Sequence, residues 1–166
     1  MKTFAAMGLA LVCLAAPARA AEAVCNIDAD ITDTDPKGTN VRAAPGGKVV
    51  SVLPSQASDD WIEVHVIGQA GDWFLIDSAK AVGDDEKTIF RGKGYLHKSV
   101  VGTSGLQNGT TIWTDHDTGS RPLDPSAAGD QAVTLLGCWH DFAKVRVRKG
   151  EGWTKGLCLN QRTTCA

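Results

Sequence analysis

Cys138-Trp139-His140-Asp141 brings a thiol, an imidazole and a carboxylate into four consecutive residues, the ingredients of nucleophilic catalysis. Their adjacency argues against it. Neighbours at a hairpin turn point in different directions, and a cysteine in an exported protein is oxidised. His65, His97, His116 and His140 are imidazoles available to a metal, but no H-x-x-x-H pair occurs, and Asp115-His116-Asp117 reads as an acidic loop. Asp28, Asp30, Asp33 and Asp35 lack the Gly and closing Glu of a calcium loop and read as a solvated linker. With no C-x-x-C pair, the cysteines do not form a zinc motif. No catalytic residue, metal site or cofactor is expected.

Binding chemistry is better represented. Trp61, Trp113 and Trp139 lie beside the polar loop residues Asp59-Asp60, Thr114-Asp115 and His140-Asp141. An indole there offers a flat apolar face and one N–H donor, which suits stacking on sugars or peptides. Strand alternation through Lys144-Val145-Arg146-Val147-Arg148 sets Lys144, Arg146 and Arg148 on one face. From Asp141 onward six basic residues face two acids, whereas Glu22 to Asp35 carries five acids and no base. This polarity makes the basic face a candidate for anionic envelope components. The overall charge of −2 and the pI near 6.0 argue against a nucleic-acid binder.

The elements that must carry these residues begin after an address. Met1 to Ala20 has a basic Lys2, an apolar stretch from Phe4 to Ala16, Pro17, and a small-residue Ala18-Arg19-Ala20 ending. This is the pattern of a cleaved secretory leader, and stable membrane insertion is not expected. Removing the first 20 of 166 residues leaves 146, and losing Lys2 and Arg19 takes the charge to −4. Cys25, Cys138, Cys158 and Cys165 then remain, and in an oxidising compartment they read as two disulfides with three pairings open. Any full pairing ties Cys25 to the C-terminal part.

Gly and Pro divide the rest into short β-branched runs at 48–53, 62–67, 73–76, 95–101, 133–136 and 143–147, so an all-β fold is expected. A repeat runs through them. VHVIGQAGDWFLI (Val64 to Ile76) lies without gaps over VTLLGCWHDFAKV (Val133 to Val145), each reading as a hairpin. GKGYLHKSVV (Gly92 to Val101) matches GEGWTKGLCL (Gly150 to Leu159). The first copy is longer by 11 residues, placed within Asp77 to Arg91, and Asn108-Gly109-Thr110 reads as the turn between copies.

Asn40-Val41-Arg42-Ala43-Ala44-Pro45, the strand Lys48 to Leu53, the hairpin and Gly94-Tyr95-Leu96-His97 together resemble the bacterial SH3-like, or SH3b, family. The second copy departs at its start, where Thr111-Ile112-Trp113 replaces N-V-R, and recovers at Gly152-Trp153. The resemblance implies two tandem, small, strongly bent barrels, closed around Tyr95 and Trp153, with ligand contacts from loop aromatics. The expected organisation is a leader at 1–20, an acidic segment at 21–37, a first domain at 38–104 with its 77–91 insertion, a divergent second domain at 108–161 and a tail at 162–166. Units this small bury limited cores, so mutual packing and disulfides are expected to reinforce them. The function implied is an exported, non-enzymatic module, periplasmic or secreted, that binds peptidoglycan or another envelope glycan or peptide; the alternative is a periplasmic protein-protein interaction module or an accessory subunit of a wall enzyme or secretion system.

Overall fold

The computed structural model describes residues 23–55, 61–129, 131–159 and 165. The leader, Asp59, Asp60 and Arg162 lie outside the described residues. The chain is all-β, relieved by a 3-10 turn at Lys98–Val100. No helix among the described residues is long and apolar enough to cross a membrane.

The first sheet comprises β1 (Ala23–Ile31), β2 (Thr39–Arg42), β3 (Val49–Leu53), β4 (Trp61–Ala70), β5 (Trp73–Val82), β6 (Glu86–His97) and β7 (Val101–Gly102). Its order is β3-β2-β6-β5-β4-β1-β7. After β8 (Gly105–Leu106) come β9 (Thr110–Trp113), β10 (Pro122–Ala127), β11 (Thr134–Trp139), β12 (Phe142–Val147) and β13 (Gly150–Thr154), in the order β10-β9-β13-β12-β11. β14 (Leu157–Cys158) returns to pair with β8. The run β3-β2-β6-β5-β4 and the second sheet have the same order, strand for strand, in the register of the sequence repeat. Tyr95 pairs with Arg42 where β6 meets β2, and Trp153 pairs with Trp113 where β13 meets β9. Both aromatics are half-buried at these junctions.

Alternation explains the core. Ile62, Val64 and Val66 of β4 are buried, while Trp61, Glu63 and His65 between them are half-exposed. Phe74, Ile76, Leu96, Ile112 and Val145 join them in one apolar cluster that runs through both sheets. Each such side chain contributes about 1.5–3 kcal/mol on leaving water. The extra length of the first copy is not a loop. Residues 78–82 and 86–91 extend the β5–β6 hairpin, with Ser78 opposite Arg91, Val82 opposite Glu86 and a register shift between Ala79 and Lys80.

The acidic segment corrects the expectation of a solvated linker. Cys25, Ile27, Ala29 and Ile31 point inward, and β1 lies between β4 and β7 inside the first sheet. Farther on, Asp33 and Asp35 accept from the amides of Asp35 and Lys37, and Asp33 also accepts from buried Thr39. These carboxylates shape the turn into β2 rather than solvate a spacer.

The two sheets meet along β1 and β11. Cys25 is disulfide-bonded to Cys138, and Cys158 to Cys165, which selects one of the three pairings. Beside the first bridge, Asn26 N–H donates to His140 O and His140 N–H donates to Val24 O, both at 2.7 Å. Gln69 continues the seam: its Oε1 accepts from Cys138 N–H at 3.0 Å and its Nε2 donates to Leu136 O at 3.4 Å. Gly137 makes room for it, since a Cβ there would sit 2.5 Å from Gln69 Oε1.

One buried carboxylate gives the fold a pH signature. Asp124 on β10 is buried, and Lys149 Nζ lies 2.9 Å from its Oδ1. The hydrogen bond from Lys149 holds the Asp124 carboxyl below the usual carboxylate range. Its stabilisation is therefore complete above the unfolded value near 3.8 and is lost as pH falls through the lower folded value. We expect D124N to cost about 1 kcal/mol at pH 7. Urea titrations from pH 6 down to pH 2 should also show a shallower acid loss in D124N than in the wild type.

Candidate functional site

The second sheet carries an aromatic row on its outer face. Gly137, Lys144, Trp153 and Trp113 stand directly opposite one another across β11, β12, β13 and β9. Their partners in the alternation, Ala143, Val145, Gly152, Thr154 and Ile112, are buried inside. Lys144 Nζ lies 5.9 Å from the Trp153 ring centroid, within cation–π range. Trp113 meets Phe142 edge to face at 5.9 Å.

The β9–β10 loop folds onto this row. Asp115 N–H donates to Ser120 Oγ, Ser120 N–H to Asp117 O, and Thr114 N–H to Arg121 O, which fixes the loop from within. His116 is thereby held between two indoles, with its ring centroid 5.1 Å from Trp139 and 5.2 Å from Trp153. Its Nδ1 lies 2.6 Å from Asp115 Oδ1, at ion-pair distance but off the line of a hydrogen bond. Trp139 remains 40% exposed, an unusual state for a large apolar side chain. The result is a pre-formed platform of indole and imidazole faces with an ammonium at its edge.

Trp113 and Trp139 are thus brought to one face together with Lys144. Trp61 is not: it opens β4 in the first sheet opposite Val82, and its indole N–H donates to Glu63 at 2.9 Å. The basic face is also different from expectation. Arg146 donates to Glu151 through Nε and Nη2, and Lys144 Nζ lies 3.8 Å from the same carboxylate. The hydrogen bond from Arg146 holds the Glu151 carboxyl below its usual range, so this acid stays charged beside them. Arg148 falls in the turn after β12 and is exposed there rather than in line with Lys144 and Arg146.

The residues of the apparent triad go to three separate partners. Cys138 is in the disulfide, His140 stacks edge-on against Trp139 at 5.2 Å, and Asp141 accepts from Lys155 at 2.6 Å. Lys155 in turn lies 4.5 Å over the Phe142 ring. Among the described residues, no group of three or more His, Cys, Asp or Glu side chains is arranged to hold a metal.

His116, Phe142 and Trp153 are site residues that reading the types alone missed. A signal for part of the site was present in the repeat. In the first sheet the corresponding row is Gly68, Leu75, Tyr95 and Arg42. Leu75 is buried, and Arg42 donates to Gly47 O at 2.7 Å. Trp113, Trp139, His140 and Lys144 stand where the first copy has Arg42, Ala70, Gly71 and Leu75. The platform is built where the copies differ.

Gly71 turns the first hairpin at φ +59°, and His140 turns the second at φ +49°. A side chain in that conformation costs about 1–3 kcal/mol. Glycine would relieve it but adds about 0.5–1 kcal/mol of unfolded-chain freedom. We expect H140G to gain about 1 kcal/mol in urea denaturation and to loosen Trp139, read as a shift in its fluorescence.

No protein-family model matches the chain, and no curated protein matches it. Among solved structures it is similar to NlpC2 from Trichomonas vaginalis, at 13% identity and a TM-score of 0.33. That likeness covers 81% of this chain and 48% of that one, so the chain spans about half of that protein's length.

Proposed function

We propose that the chain is an exported, non-enzymatic binding module of two SH3b-like units that holds peptidoglycan, through its glycan or peptide, on the second unit. The observation that carries this reading is His116 held between Trp139 and Trp153, with Lys144 beside Trp153 and Trp139 left exposed. Flat faces stack on sugar rings or peptide planes, and the loop is already ordered, so little conformational entropy is lost on binding. Lys144 suits a ligand carboxylate once it leaves the long 3.8 Å contact with Glu151. Two disulfides and the leader pattern support export.

Sedimentation with purified sacculi tests it. The wild-type protein should pellet at low salt, and W139A should weaken association at least tenfold, about 1.4 kcal/mol, with an unchanged far-UV spectrum. Wild-type protein remaining wholly in the supernatant would overturn the reading.

A second reading, capture of a periplasmic protein by strand addition, is favoured by β3. It is an edge strand with Val49, Val50 and Val52 exposed and no proline within it. Its counterpart β10 is guarded by Pro122 and Pro125. A photo-crosslinking residue at position 52 should trap such a partner in exporting cells; absence of any adduct rejects strand addition.

A further inference from the structure

A cleft of about 340 Å³ opens where the two units meet, beside the seam. One wall is β1 and the other is formed by the ends of β12 and β13 with the strand that follows. Its apolar lining is Ile27, Ala143, Leu157 and Leu159. Its polar groups are Asn26, Asp28, Asp141 and Lys155, with Thr154 between them. The size is that of a small-ligand pocket, and the position between units is one such pockets favour.

We propose that this cleft binds a primary ammonium group carried on an aliphatic stem. Two carboxylates and one ammonium line it, and the ammonium is already committed. Lys155 donates a hydrogen bond to the Asp141 carboxylate at 2.6 Å and lies over the Phe142 ring at 4.5 Å. Asp28 is left exposed, with no ion pair to any described residue; the neighbouring Lys80 is taken by Glu86 at 2.8 Å. An anion entering here would face Asp28 and displace Lys155 from Asp141. A cation meets Asp28 directly, while the aliphatic wall takes a stem that would otherwise stay in water.

The polar rim is held in place before any ligand arrives. Asn26 Oδ1 lies 3.1 Å from His65 Nε2, and His65 Nδ1 is in turn 2.9 Å from Asp77. The Asn26 amide donates to His140 O, one residue from the disulfide that joins the walls. The inference is independent of the platform: the row of Trp113, Trp153 and Lys144 occupies the outer face, whereas Ala143 and Thr154 belong to the inner alternation.

The test is an NMR titration of the disulfide-bonded protein with 1-aminopentane, 1-pentanol and pentanoate. The amine should give saturable shifts at Asn26, Asp28 and Asp141, and pentanoate none. D28N should raise the amine's dissociation constant at least tenfold with no change in Tm, while D35N and W139A leave it unaltered. Equal binding of amine and pentanol, shifts confined to the platform, or an unaffected D28N would overturn the proposal. Because W139A separates the two sites, failure here leaves sacculus binding untouched, and the reverse holds.

Discussion

The molecule depends on how the open edge of β11 is satisfied. An edge strand exposes a row of amides and carbonyls that seek partners. Here the first unit provides them by unlike means. β1 supplies two backbone hydrogen bonds at His140, Gln69 supplies a side-chain donor and acceptor at Leu136 and Cys138, and the Cys25–Cys138 bridge fastens the seam covalently. The carboxamide of Gln69 stands in for a missing strand. Because β1 also sits between β4 and β7, one segment completes the first sheet and closes the edge of the second. Two small cores thereby become one, and the walls of the inter-unit cleft acquire a fixed separation.

With stability shared in this way, the copies are free to differ on their outer faces. The strand order and the inward alternation are common to both, so the differences fall on positions that do not carry the core. Tyr95 and Trp153 show the contrast: the same junction residue stands beside Arg42 and buried Leu75 in one unit, and beside Trp113 and Lys144 in the other. The second unit even retains a strained His140 where its counterpart has glycine, which keeps an imidazole against Trp139.

What the sequence made legible follows from period two. The β4–β5 hairpin was readable because β4 alternates cleanly, and the gapless match of its sequence to β11–β12 exposed the repeat. β1 carries the same signal, since its Cys-Ile-Ala-Ile face alternates with Asn26, Asp28 and Asp30, but aspartate is a poor strand former and its density makes the segment read as an acidic tract. β10 was obscured by two prolines and by two register shifts. At the site, Trp113 and Trp139 could be picked by type, but not their convergence, which needs β9 beside β13 and a loop laid across both. The basic stripe misled because Glu151, five residues past Arg146, becomes its neighbour only when the strands pair.

The two disulfides differ greatly in span: Cys158 and Cys165 are 7 residues apart, and Cys25 and Cys138 are 113 apart. Closing a short loop costs less entropy and happens sooner than closing a long one. The C-terminal pair therefore tends to form first during oxidation, and once it has formed the four thiols no longer present a choice. Cys25 has only Cys138 left to meet. The shortest crosslink in the protein thus acts as a proofreader for the longest, sparing the chain from pairings that would join the two sheets out of register.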